Sequence, residues 1–322
     1  MTTLVTGLAS VVLAPGEPCD PAPFLREKKS KKYLGLQDAL AVVSAGRALA
    51  SAGLAGALPG ATGAPFALPG ERTGLYLAVG YIPFLERDIA PVLEGSLDER
   101  GDFSPARFGA EGYTRAHPLL AFRCLPNMPA YHVAANFGVE GPYAVLYPSA
   151  GQLYLALEEA VQALARGEVD VALVVGVAHQ RNYLVEHHMR RIDGPVPPDQ
   201  LFDASAAVVL EREDHAARRG ARVAGELASL AVGYTPFDPL ASAPEKRETV
   251  AVARASTEGR GGAAEATGAA LGPAAPIDAE LGPASPLVAL ARAWHGGAVE
   301  LVHHLEGRDG ITAESRWIRR AS

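Results

Sequence analysis

Cysteine is nearly absent: the 322 residues hold two, Cys19 and Cys124. That argues against a disulfide framework, and no C-x-x-C or Cys/His spacing suits a structural zinc. Both read as small buried hydrophobes or ordinary loop residues. The nine histidines do not make good the lack. His187-His188 and His303-His304 are adjacent pairs, and neighbours on a strand face opposite ways while neighbours on a helix diverge by about 100°, so neither pair is a natural chelate. No metal and no cofactor are expected. Also missing is any apolar run of the ~18 residues that a membrane-spanning helix needs. Met1 to Pro15 has neither the basic start nor the cleavage site of a secretory signal, so a cytoplasmic location is expected. Net positive charge is lacking as well: the formal balance is −7, which counts against nucleic-acid binding as a global property.

What the chain does contain is a core. With 48% hydrophobic and 20% charged residues it reads as globular and long enough for one large domain or two fused halves. Thr3 to Leu13 reads as a strand or hairpin. The basic cluster Arg26 to Lys32 precedes a helix over Gly35 to Gly53, with Leu36, Leu40, Val43 and Leu49 at helical spacing and Gly53 as its stop. Leu54 to Glu71, rich in Ala, Gly and Pro, reads as a loop. Thr73 to Val79 is a buried strand, followed by a helix from about Phe84 to Leu93. Strand Tyr143–Tyr147 flows into a long helix, Gln152 to Arg166, and the apolar run Val169 to Val177 is a strand buried on both faces. Strand, helix, strand in that order points to a layered α/β fold with parallel strands. Beyond Ala207–Glu211 the rhythm weakens. Strands at Val223–Val232 and Thr249–Ala253, helices near Ala263–Ala270 and Pro286–Trp294, and a last strand Ala298–Leu305 are expected. Gly233–Pro244 and Leu271–Pro286 read as loops.

The most telling segment runs Leu125-Pro-Asn-Met-Pro-Ala-Tyr-His132, then Gly141-Pro142, then Tyr147-Pro-Ser-Ala-Gly-Gln152. Together with Ala165-Arg-Gly-Glu-Val-Asp-Val-Ala-Leu-Val-Val-Gly176, Phe202-Asp203 and Ala207 to Asp214, it resembles type II β-ketoacyl synthases in order and spacing. The resemblance is specific from Leu125 to about Val177 and faint over the last hundred residues. It implies a thiolase-like α/β fold, with duplicated βαβαβ halves in α-β-α-β-α layers and a truncated second half. The halves would span 1–212, with the vestigial nucleophile turn, and 213–322. The family's glycine-rich stretch is missing, because Leu201 to Leu210 runs straight across its place.

In that family a Cys at the turn before the long helix is acylated, and two His stabilise the oxyanion and the enolate. A thiolate at a helix N-terminus suits the first task and imidazole donors the second. Ungapped counting puts Ala150 at the Cys position; a one-residue slide puts Ser149 there and aligns S-A-G-Q-L with the Q-A-G-G-L of chain-length-factor subunits. The first His falls near Arg254 and the second at Pro283, and Glu248 to Pro286 contains no histidine. All three catalytic positions are lost.

Ser149 reads as a small residue in a tight turn between Pro148 and Gly151, or as an oxygen nucleophile that would need a general base. His132 is a candidate base, although its family counterpart is structural. Tyr147, Gln152 and His132 are candidate pocket or tunnel residues, with Gln152 reading equally as a helix N-terminal residue. His179 to Tyr183 is an ordinary polar loop or a cavity lining. Lys28, Lys29, Lys31 and Lys32 form either a solvated loop or a docking patch for acyl carrier protein. The resemblance further implies a dimer through the strand at Tyr143–Tyr147, because an apolar strand edge needs a mate. The expectation is a non-catalytic, chain-length-factor-type subunit paired with an active ketosynthase or with itself. An acyltransferase or thioester hydrolase acting through Ser149, and a homodimeric protein that binds acyl chains or carrier proteins, are the alternatives.

Overall fold

The computed structural model describes residues 2–54, 68–191, 196–235, 250–255, 281–307 and 309–320. The helix expected near Ala263–Ala270 lies outside them, as do most of the loops at Leu54–Glu71, Gly233–Pro244 and Leu271–Pro286. In chain order the main elements are β1 (Thr3–Leu13), α1 (Leu36–Ser51), β2 (Thr73–Val79), α2 (Glu86–Glu94), α3 (Met128–Phe137), β3 (Tyr143–Leu146), α4 (Ala150–Ala165), β4 (Val171–Ala178), α5 (Tyr183–Arg191) and β5 (Asp203–Arg212). After them come α6 (Glu213–Arg218), β6 (Gly225–Tyr234), β7 (Val250–Ala255), α7 (Ser285–His295), β8 (Ala298–Glu306) and β9 (Ile311–Arg319).

The strands pair in the order β3-β2-β4-β5-β1-β6-β9-β8-β7. In the first five, β2 is parallel to β3 and β4, while β5 is antiparallel to both β4 and β1. Every residue of β4 is buried, as its unbroken apolar run predicts for a strand covered on both faces. β1 meets β6 only over Thr3 to Val5, so the β6-β9-β8-β7 portion departs from the first and forms a second, antiparallel layer.

Each face of the first layer has its own core. On one face Leu40 and Leu49 of α1 and Val133 and Phe137 of α3 pack on Leu75, Leu77 and Leu173. On the other, Leu153, Leu157 and Leu164 of α4 and Leu287, Leu290 and Trp294 of α7 pack on Tyr76, Val174 and Val208, and also on Leu301 and Trp317 of the second layer. α4 and α7 are therefore central, with sheet on either side, and the thiolase-like α/β layering follows. Ala150, Gly151, Ala156, Ala160 and Ala163 are all buried, and such small residues let α4 approach both sheets closely. No helix among the described residues is long and apolar enough to cross a membrane.

β9 was not expected from the sequence. Ile311, Ala313, Ser315 and Trp317 point inward and alternate with outward residues, and β9 lies at the heart of the second layer between β6 and β8. Thr3 to Leu13 resolves as one strand of 11 residues, not a hairpin.

A buried ionic knot ties β5 to β1 and α6. The fully buried Glu211 carboxylate accepts hydrogen bonds from Arg219, His215 and Thr6, and the Arg219 guanidinium also reaches the Ala52 carbonyl at the end of α1. Burial pushes the Glu211 carboxyl up, but the bonds from Arg219, His215 and Thr6 outweigh it and hold the group below the ordinary glutamate range. Glu211→Gln would leave the Arg219 charge buried without its counterion and is expected to cost about 3–5 kcal/mol in urea unfolding. Because the folded carboxyl titrates below the unfolded one, its contribution is present above the ordinary glutamate range and is lost as pH falls through the folded value. The gap between wild type and Glu211→Gln should therefore narrow in acid melts.

Candidate functional site

The chain turns from β3 into α4 at Tyr147-Pro148-Ser149, with a cis peptide between Tyr147 and Pro148. Ser149 is the extended N-cap of α4, but its hydroxyl does not cap its own helix. The Ser149 Oγ instead donates to Asp309 Oδ2, in the loop between β8 and β9. Gln152 Nε2 approaches the same oxygen at 3.5 Å, the limit of hydrogen-bond reach. The other carboxylate oxygen is held within its own loop, where the Ile311 amide donates to Asp309 Oδ1 at 3.1 Å. Gly310 at φ +84° and the Gly310 amide on the Gly307 carbonyl at 3.0 Å shape that loop, at a backbone angle that glycine adopts without strain.

The carboxylate sits over the first turn of α4. A Cβ on Gly151 would lie 3.1 and 3.2 Å from the two Asp309 oxygens and 2.9 Å from Ile311 Cβ. Only glycine at 151 lets the loop close down. The positive end of the helix dipole favours an anion here, and the protein supplies its own.

Aromatic side chains border the turn. Tyr147 meets Tyr81 edge-on at 5.8 Å, and the Tyr81 hydroxyl hydrogen-bonds His188 Nε2 at 3.1 Å. Burial, then the nearby Tyr147, then the Asp309 charge all push the Tyr81 phenol up, which places Asp309 within electrostatic reach of this cluster. Tyr147 is also raised by burial, against a hydrogen bond with the Ile82 backbone. Tyr81 follows β2, Tyr147 follows β3, and His188 is on α5 beyond β4. The cluster thus lies at the carboxyl ends of parallel strands, where α/β sheets place their ligand sites.

Residues 9–216, well over half of the chain, match the sequence profile of the β-ketoacyl synthase N-terminal domain. The chain belongs to the β-ketoacyl synthase family. Among solved structures, a β-ketoacyl synthase from Burkholderia phymatum STM815 aligns with TM-score 0.65 and 14% identity over 99% of this chain and 100% of that one. A type II polyketide synthase acyl-carrier protein in complex with its ketosynthase bound to the hexaketide aligns with TM-score 0.56 and 16% identity, over 73% of this chain and 69% of that chain. Identities this low establish a shared fold. Comparison with curated protein sequences finds no match.

No cysteine is in the turn before α4, the place where the sequence resemblance led the family's nucleophilic Cys to be expected. α4 begins at Ala150, two residues earlier than the sequence suggested, so Ala150 is a fully buried first-turn residue and Gln152 also lies in that turn. Pro283 falls in a short buried turn, Gly282–Ala284, whose carbonyl presses so closely on Gly176 of β4 that a Cβ there would collide with it. Arg254 is on β7, with its backbone opposite Glu300 of β8.

His132 is not brought to this group. It belongs to α3, which packs with α1 on the opposite face of the first layer, and it is 4% exposed. Burial pushes its imidazole down to about 4, and its Nε2 has no hydrogen-bond partner among the described residues. His179, Gln180 and Asn182 are buried beside β4, with the His179 amide on Gln37 Oε1 at 3.0 Å. The His179 amide ties the sheet to the start of α1, while Asn182 accepts from the Leu184 and Val185 amides at the start of α5. Lys28, Lys29, Lys31 and Lys32 are exposed on a short 3-10 helix; Lys31 pairs with Asp20 at 2.7 Å and Lys32 lies 4.8 Å above the Tyr33 ring.

Asp309, Tyr81 and His188 were missed by sequence reasoning. For Asp309 a signal existed, because Asp309-Gly310 between two alternating stretches is the mark of a hairpin turn. Gly151→Ala should lever the β8–β9 loop off α4, with a cost of about 1–3 kcal/mol from overpacking. A lowered thermal midpoint with faster hydrogen exchange at 309–311 is expected; an unchanged melt and exchange pattern would refute the contact.

Proposed function

We propose that this chain is a catalytically silent ketosynthase-like subunit of the chain-length-factor type, which pairs with an active ketosynthase in type II fatty acid or polyketide biosynthesis. The occupied helix terminus carries this reading. Condensation needs a thiolate at the α4 N-terminus and donors for a developing oxyanion. In this chain that position has a serine hydroxyl bound to a carboxylate, and a fixed negative charge there would oppose an oxyanion. The residues at the two family His positions, Arg254 and Pro283, supply no imidazole.

The surface supports a pairing partner. β3 is an edge strand among the described residues, and Tyr143 on it is 70% exposed. Leu125 and Tyr131, from the segment that carries the family motif, are also exposed. Exposed aromatic residues beside an open strand edge mark an interface and are an aggregation hazard without one. The partner is an active ketosynthase or a second copy, and an acyl carrier protein would serve the complex, as one does the ketosynthase in the solved type II complex. Lys28 and Lys29, with no ion pair among the described residues, are the proposed carrier contacts. The boundary near residue 212 between two thiolase-like halves, and a cytoplasmic location, belong to the same reading.

Co-expression with a ketosynthase from the same operon should give a stable complex, and Tyr143→Arg should reduce its recovery severalfold. If the wild-type pair does not co-purify, or if the lone chain condenses acyl thioesters, the subunit reading fails.

One observation favours a second reading: Ser149 Oγ is bonded directly to a carboxylate that could take its proton, which would make the chain an acyltransferase or thioester hydrolase. The same carboxylate would oppose the tetrahedral oxyanion, which ranks this reading second. Intact-mass measurement after incubation with an acyl-carrier thioester separates the two. No adduct is expected; an adduct abolished by Ser149→Ala would establish the enzyme.

A further inference from the structure

The far end of the molecule carries a groove that the family chemistry does not use. It opens where β1 parts from β6 beyond Val5 and has a volume of about 760 Å³, within the usual range of small-molecule sites. Arg222, Arg292, Arg319, Arg320 and His295 line it, and no aspartate or glutamate among the described residues does. Arg320 pairs with Glu226 at 2.7 Å, whereas Arg222, Arg292 and Arg319 have no ion pair among the described residues. In a chain of net charge −7 this is a concentrated field of the opposite sign. Arg292 and His295 lie in the last turn of α7, where they complement the helix dipole; that does not account for Arg222 or for Arg319 at the end of β9.

Trp294 is among the residues bordering the groove, but it is 6% exposed and its indole packs inward in the core between the two layers. Gly225 accommodates the indole, because any Cβ there would collide with its ring.

The groove is remote from the α4 turn. Gln37 at the start of α1 bonds His179 at the site end of the sheet, while Ser51 at the end of α1 lines the groove. Gln37 and Ser51 are separated by about 21 Å along α1, so this is no outlying part of the first site. The strand edge is not fully open to a peptide strand, since the Leu8 amide already donates to Ser51 Oγ at 3.0 Å. A compact polyanion fits better, because guanidinium groups grip phosphate oxygens two at a time. Half-buried Leu8 and Val223 would cover an apolar or aromatic remainder.

We propose that this groove binds a phosphate-bearing small molecule with an apolar or aromatic portion, of the nucleotide class, held by Arg222, Arg292 and Arg319. Calorimetric titration of the full chain with ADP, pyrophosphate and deca-glutamate would test it. Saturable ADP binding is expected, weakened by added salt, and about tenfold or more weaker in the Arg292→Ala/Arg319→Ala double variant. Asp309→Asn should leave it unchanged. Both arginines are exposed, so the double variant should melt as the wild type does; if it does not, Arg292→Lys/Arg319→Lys replaces it, with weaker binding again expected from the loss of two-point contact. No saturable binding of ADP or pyrophosphate, equal affinity in the arginine variants, or tighter binding of deca-glutamate than of ADP would overturn the proposal.

Discussion

The burial of α4 between two sheets governs the rest of the molecule. Its alanines and glycine let β2 and β4 approach from one side and β6 and β9 from the other, so one helix seals both layers. Such a helix cannot shift without opening both cores, because interiors are close-packed. Further along it, the Tyr154 hydroxyl bonds His303 Nδ1 of β8, and burial pushes that imidazole down to about 4. That bond bridges helix and sheet in a dry interior, with the other ring nitrogen, Nε2, left without a hydrogen-bond partner among the described residues. The N-terminus of α4 is thereby held rigidly against whatever the second layer presents.

What the second layer presents is Asp309. A helix N-terminus is an anion site by virtue of its unpaired amides and dipole, whether the anion is a thiolate, an oxyanion or a carboxylate. In this chain the tight β8–β9 loop occupies the position, Gly151 makes room for it, Ser149 hydrogen-bonds it, and Gln152 approaches it at the limit of hydrogen-bond reach. With no cysteine in the turn, the Asp309 carboxylate is the anion that the α4 N-terminus faces.

The two ends of the layered body differ in character. At the carboxyl ends of β2, β3 and β4 the chain gathers tyrosines, a histidine and a self-supplied anion. At the opposite end, where α1 and α7 finish and β1 leaves β6, it gathers arginines. The rigid helices between keep these groups apart, and each end is electrostatically suited to a different class of ligand.

Much of the first half was legible from residue pattern alone. The unbroken run Val171–Ala178 could only be a strand covered on both faces, and Thr73–Val79 and Leu36–Ser51 followed from apolar spacing. The absence of cysteine at the α4 turn was equally plain, because a missing side chain needs no coordinates to be seen. β9 was overlooked although its alternation is regular, since charged Glu314, Arg316 and Arg319 mask the apolar face. The sequence by itself therefore determined the layered fold and the lack of a cysteine in the turn before α4. Only the tertiary structure decided that Ser149 faces Asp309, that His132 stands on the other side of the sheet, and that arginines from three separate segments converge on one groove. Those facts depend on contacts between residues as many as 160 positions apart, which local spacing does not encode.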